Sequence, residues 1–146
     1  MVHVPAREIP VPTSVSQEAQ AVLAMGRLGP PPRELPALDD AAGWKTYVAE
    51  TDGFVRSMVG DATAGFKGSI EERDIGPCPL YVVTPEGVTD DDRRVLLDIH
   101  GGAWVLGGGD LCKRTTILVA DAIGVRAWTV DYRMPPDHPF PAAPED

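Results

Sequence analysis

His100, Gly101, Gly102, Ala103 and Trp104 follow an apolar run without a break. Gly107, Gly108 and Gly109 close the same stretch, VLLDIHGGAWVLGGGD over residues 95–110. A loop of this composition can present main-chain N–H groups to an anion, because glycine lets the backbone approach closely and turn where other residues resist. Two anions suit such a loop. One is a phosphate held at the start of a following helix. The other is the negative oxygen of a tetrahedral intermediate, held by two or three donors fixed in advance. A third reading gives the loop no chemistry and makes it a flexible connection.

The order strand, glycines, helix, strand, acidic residue is that of a dinucleotide site, and Asp131 follows Gly109 at about the ~20-residue interval expected there. Against this, residues 101–109 spell no GxGxxG and the chain holds no GxxxxGK[ST]. The segment from Gly101 to Asp110 is also too long for the tight turn that sets a helix N-terminus on a pyrophosphate. The oxyanion reading fits the letters better.

The elements that must position this loop are legible on either side. VLLDI, within RRVLLDI, and VRAWTV are apolar on both faces, the mark of parallel strands covered on both sides by helices. Between them CKRTTILVADAIG has a helical pattern, with Gly124 as its stop. Strand, helix, strand of this kind predicts an α/β fold. Upstream, SIEERDIG and PLYVVTP are short strand candidates that pair antiparallel across GPCP. Earlier still, Trp44, Tyr47, Val48, Thr51, Val55 and Met58 fall near one face at helical spacing, a core-packing stripe that Asp39 or Asp40 would cap. Gly53 weakens that helix by about 1 kcal/mol. Ser14 with Gln17 forms a capping-box pattern for a first helix that Gly29 would stop before Pro30, Pro31 and Pro32. Residues 1–14 carry three prolines and read as an extended arm. Two segments are therefore expected: an arm with helices over residues 1–63, and a sheet-bearing core over residues 64–146.

Composition narrows the partners. The 146 residues carry a net charge of −9, which argues against nucleic acid and anionic membrane, since both need clustered positive charge. Cys78 and Cys112 make no disulfide framework and read as small buried or half-buried residues. No apolar h-region opens the chain and no apolar run approaches the ~20 residues that span a bilayer, so a cytoplasmic protein is expected. His138 reads as a turn residue and His3 as part of the arm. A metal held by His100, Asp98 and Cys112 matches no zinc spacing. Asp74 and Asp98 have no support as acid–base partners beyond being carboxylates.

HGGAW followed by DYRMPPDHPFPAAPED resembles the hormone-sensitive-lipase-type branch of the α/β-hydrolase family, which pairs an HGGG-type loop with a downstream DYRLAPEHPFPAA stretch. The likeness runs from about residue 66 to the end, and the preceding helices match in general character as cap helices. It implies the first four strands of an α/β-hydrolase sheet and a carboxylesterase acting on small-molecule esters without a cofactor or metal. By this resemblance the N–H groups of Gly102 and Ala103 are the oxyanion donors. His100 and Gly101 support the loop, with Asp131, Tyr132 and Arg133 anchoring the turn that follows the fourth strand. Trp104 lines the substrate pocket. Ala103 stands where the motif has its third glycine. It keeps its N–H but resists positive φ, so the loop is expected to hold it at ordinary dihedrals. Pro135 replaces a frequent alanine, and cis bonds at Pro135–Pro136 or Phe140–Pro141 are expected to be tolerated.

The resemblance also implies a serine on a Gly-x-Ser-x-Gly elbow, then an acid and a histidine. Ser14, Ser16, Ser57 and Ser69 are the only serines, and none has that setting. His138 precedes any such nucleophile. In the α/β-hydrolase strand order RRVLLDI would lie beside a fifth strand, and without one it is an open edge that invites association. The expectation is an N-terminal part of a longer enzyme, inactive alone, whose partner is its C-terminal remainder as a second chain or domain, with a homo-oligomer also open. Two rivals stand beside it. Plant gibberellin receptors resemble this family and hold a ligand without turnover, and the chain could itself be an inactive remnant.

Overall fold

The computed structural model describes residues 8–26, 33–60 and 64–146. The expectations for His3, for Gly29 with Pro30–Pro32 and for the boundary between residues 63 and 64 touch residues outside that set. Two compact units are present, Met1–Pro30 and Pro31–Asp146.

In the first unit, helix α1 spans Gln17–Ala24. Its N-cap is Ser16, whose hydroxyl oxygen accepts the Ala19 N–H at 3.2 Å. The sequence pointed to Ser14. Starting two residues later places Glu18 in the first turn, where the helix dipole favours an acid.

The second unit opens with helix α2, Ala41–Val59, capped by Asp40, whose carboxylate accepts the Gly43 N–H at 2.8 Å. Trp44, Tyr47, Val48, Thr51 and Val55 are half-buried as the stripe predicts, and Trp44 meets Tyr47 edge-on at 5.6 Å. Met58 departs from the stripe and is 58% exposed. The buried residue of this helix is a carboxylate, Asp52.

Four strands follow: β1 (Ser69–Asp74), β2 (Pro79–Thr84), β3 (Val95–Asp98) and β4 (Arg126–Val130), in the order β1-β2-β4-β3. The β1–β2 and β2–β4 pairs are antiparallel and β3–β4 is parallel. β3 thus lies at an edge, beside β4, as the strand order implied. β1, at the other edge, is exposed along its length and carries Glu71, Glu72 and Arg73, charges that discourage edge-to-edge pairing.

The crossover from β3 to β4 is helix α3, Asp110–Ile123, which ends where predicted on Gly124 in the left-handed conformation. Val83, Ala127 and Leu96 face one another in register, and α3 lays Ile117 and Ala120 over them, with Phe66 closing the cluster. This is the core. The expectation that both faces of β3 and β4 are covered fails. α3 covers one face, while the residues that alternate to the other, Val95, Leu97 and Trp128, remain exposed.

Beyond β4 the chain runs through Pro135–Pro136 and Phe140–Pro141, both cis, to a short helix α4, Ala142–Glu145, opened by Pro141. Cys78 and Cys112 are free and buried. Among the described residues no helix is long and apolar enough to cross a membrane.

Candidate active site

The glycine-rich loop joins β3 to α3 and is held at several points along its length. His100 is buried and stacks on Tyr132, with ring centroids 4.2 Å apart and planes 9° from parallel. The Tyr132 hydroxyl donates to the His100 carbonyl at 2.8 Å. His100 Nδ1 lies 3.0 Å from the Gly101 carbonyl. That oxygen can only accept, so Nδ1 carries the hydrogen.

The chain then reverses. The Gly102 carbonyl accepts from the N–H of Val105 at 3.1 Å and of Leu106 at 2.9 Å. Within the turn Ala103 has φ 55° and Trp104 has φ 64°. The expectation of ordinary dihedrals at Ala103 is therefore wrong. Two successive residues with positive φ between an accepting carbonyl and a donating N–H are the φ signature of a type I′ turn. Left-handed backbone costs a non-glycine residue about 1–2 kcal/mol, and it persists only where the surroundings over-determine it.

Those surroundings are on the far side of the loop. The Gly107 N–H donates to both carboxylate oxygens of Asp52, at 3.0 and 3.2 Å. The Gly109 N–H donates to Asp131 at 2.8 Å. Cys112 gives its S–H to the Gly109 carbonyl at 3.1 Å. Asp131, the acid of the dinucleotide arrangement, thus binds the loop itself. Arg133 does not reach the loop. Its guanidinium and main-chain N–H hold the covered carboxylate of Asp146, at 2.7 to 3.0 Å.

Among the described residues the N–H groups of Gly102 and Ala103 donate to no acceptor. Gly102 stands at the wall of a cavity of about 360 Å³, with Asp52, Asp98, His100 and Leu106, while Ala103 is exposed. Trp104 is 59% exposed and lines a second, apolar cavity of about 340 Å³ with Pro135, His138 and Phe140. His138 is the turn residue expected, its N–H donating to the Met134 carbonyl at 3.0 Å, and its side chain adds to that cavity.

Burial pushes the Asp52 carboxyl up from its ordinary value, opposed by the Gly107 N–H bond and by the nearby Arg56 guanidinium. Burial also pushes the Cys112 thiol up to about 12. Among the described residues the potential ligand atoms of His100, Cys112 and Asp131 lie within 4.8 Å of one another, and Asp98, which the sequence gave no reason to count as a ligand, is not in that group. Asp98 instead accepts from the Thr116 hydroxyl.

The Arg133 guanidinium holds the Asp146 carboxyl below its ordinary value. A carboxylate depressed in the folded state stabilises fully above its unfolded pKa of about 3.9, and this contribution fades as pH falls through the lower folded value. Stability is therefore expected to drop below about pH 4, and Asp146→Asn should show a flatter profile there in urea titrations at pH 2 to 5.

Sequence reasoning missed Asp52. Its signal was a carboxylate on the apolar stripe, one position from Thr51 and three before Val55, where a charged residue needs a partner. The sequence held no sign that the partner would be Gly107.

Residues 96–146 match the family described as alpha/beta hydrolase fold. The carboxylesterase NlhH of Mycobacterium tuberculosis is 39% identical over 84 residues, covering 53% of this chain and 25% of its own length. Arylacetamide deacetylase of Rattus norvegicus is 27% identical over 145 residues, covering 94% of this chain and 35% of its own. Among solved structures, esterase E25 superposes with a TM-score of 0.78 at 27% identity, over 99% of this chain and 45% of that one. An esterase of the bacterial hormone-sensitive lipase family gives a TM-score of 0.51 at 28% identity, over 80% and 34%. The chain spans about a quarter to a third of the length of the curated relatives it matches.

The sheet, its crossover and the loop between them match the N-terminal portion of the α/β-hydrolase fold. Within that fold the chain resembles the first part of carboxylesterases of the hormone-sensitive-lipase type.

Proposed function

We propose that this chain supplies the oxyanion side of a serine carboxylic ester hydrolase. The observation that carries the reading is the pair of adjacent N–H groups, Gly102 and Ala103, left without acceptors by a turn anchored at both ends. A serine from sequence outside these 146 residues attacks the ester carbonyl carbon and passes its proton to a histidine base. The carbonyl oxygen takes the negative charge, and the two N–H groups donate to it. Collapse of the intermediate expels the alcohol, which takes the proton from the histidine, and leaves an acyl-enzyme. Water then attacks in the same way and releases the acid. One such donor typically stabilises the transition state by ~2.7–4 kcal/mol. Trp104 and the apolar cavity beside it receive part of the ester, and the chain alone has no turnover. Two buried thiols left unpaired accord with a reducing, cytoplasmic setting.

The test is hydrolysis of p-nitrophenyl esters by the full-length protein, with labelling by a serine-directed phosphonate. Turnover and labelling that both require the sequence beyond Asp146 are expected. A folded full-length protein that neither hydrolyses nor labels refutes the reading, and one that binds the ester without either would be a receptor.

A further inference from the structure

We propose that Asp52 is a positioning residue, a strut by which helix α2 fixes the geometry of the oxyanion loop. This rests on the oxyanion reading of Gly102 and Ala103. Asp52 is 8% exposed, yet among the described residues it makes no ion pair within bonding distance. Both of its oxygens are spent on one main-chain N–H, that of Gly107. A buried carboxylate without a close cation is costly to keep, and a core-facing helix position ordinarily takes an apolar side chain. What the carboxylate does here is geometric. Gly107 is the residue after Leu106, whose N–H closes the turn onto the Gly102 carbonyl at 2.9 Å. A Cβ on Gly107 would lie 2.7 Å from the Gly101 carbonyl, so the two ends of the turn are in contact. Pulling on Gly107 therefore sets where Gly102 and Ala103 point.

The helix is itself fastened at the other end of the same segment. Arg56, one turn beyond Asp52, approaches Asp110 at the start of α3, 3.9 Å away, and Arg114 of α3 donates to the Gly60 carbonyl. α2 and α3 thus form a frame with the loop slung between them. The two positive-φ residues, Ala103 and Trp104, are held inside that frame. Misplacing a donor by about 1 Å can cost on the order of 10²-fold in rate, so a strut one residue from the turn has a catalytic effect without touching substrate.

Three variants of the full-length protein test this. Asp52→Leu keeps the branched side-chain skeleton, with bulkier methyl groups, and removes the acceptor. Asp52→Asn keeps one acceptor oxygen for Gly107. Tyr47→Ala removes a half-buried ring of the same helix that packs on Trp44 and Arg33, and serves as the stability control. Asp52→Leu is expected to lower kcat 10- to 100-fold with KM within about twofold, and Asp52→Asn to recover most of that loss. Amide exchange at Val105 and Leu106, which reports the turn directly, should quicken at least about tenfold in Asp52→Leu and not in Tyr47→Ala. If the wild type has no esterase activity, the functional reading falls and the exchange measurement alone judges Asp52. If kcat and exchange in Asp52→Leu move no further than in Tyr47→Ala, the strut does not exist.

Discussion

On the proposed role of Gly102 and Ala103 as oxyanion donors, Gly102→Ala in the full-length protein is expected to lose at least about 100-fold in kcat, because one lost donor of that kind is worth that much and this change displaces two. The reason is steric. Gly102 has φ 137°, a region that residues with a Cβ rarely enter. A Cβ built there would lie 2.0 Å from the Leu106 carbonyl oxygen and 2.5 Å from its carbon. Both are main chain, so no rotamer change relieves the clash. The turn must open, and its opening releases the Val105 and Leu106 N–H bonds to the Gly102 carbonyl. Ala103→Gly, one residue on, is the informative contrast. It removes a Cβ from a left-handed residue, φ 55°, and so relieves about 1 kcal/mol of strain while keeping the N–H. Its effect on kcat should be far smaller than that of Gly102→Ala. Esterase assays of the two, with amide exchange at Leu106, separate a damaged turn from a damaged protein. Equal losses in both variants would mean that the loop tolerates no change at all and would remove the argument from Gly102.

What the sequence displays and what it conceals divide along physical lines. The sheet was legible because its signals are local. VVT and RAWTV alternate or run apolar over strand lengths, and Gly124 stops α3 by its own conformational freedom. HGGAW was legible as a sharply turning loop because glycine marks such backbone whatever the tertiary setting, and its anion-binding role is the proposal made above. Three things were not. Ala103 was expected at ordinary dihedrals because strain is normally avoided. The structure sustains it through bonds that cross from Gly107 to Asp52, 55 residues earlier in the chain, and no local pattern can record a contact of that span. Asp52 was hidden for the same reason, since a helix stripe shows that a position is covered but not by what. The open face of β3 and β4 was missed because apolar letters say that a face wants cover. Val95, Leu97 and Trp128 satisfy that pattern and still lie exposed.

His100→Ala is expected to cost about 3 kcal/mol of stability, near the lower end for deleting a buried aromatic ring, with kcat reduced along with it. The ring is 7% exposed, stacks flat on Tyr132 and fills the space against Gly107, whose built Cβ would come within 3.0 Å of Nδ1. Its polar contacts contribute little by comparison. Among the described residues Nε2 is buried without a partner, so deleting it strands nothing, and Nδ1 meets the carbonyl of Gly101, an exposed residue that water can serve instead. The Tyr132 hydroxyl bonds the main-chain carbonyl of His100, which the substitution leaves in place. Packing is therefore the dominant loss. His100→Asn makes the distinction, because its amide can still donate to Gly101 but gives back no ring. If packing dominates, Asn and Ala should fall within about 1 kcal/mol of each other in urea unfolding. If the hydrogen bond dominates, Asn should stay close to the wild type, and His100 would be a donor that holds Gly101 rather than a wedge that holds the loop against Tyr132.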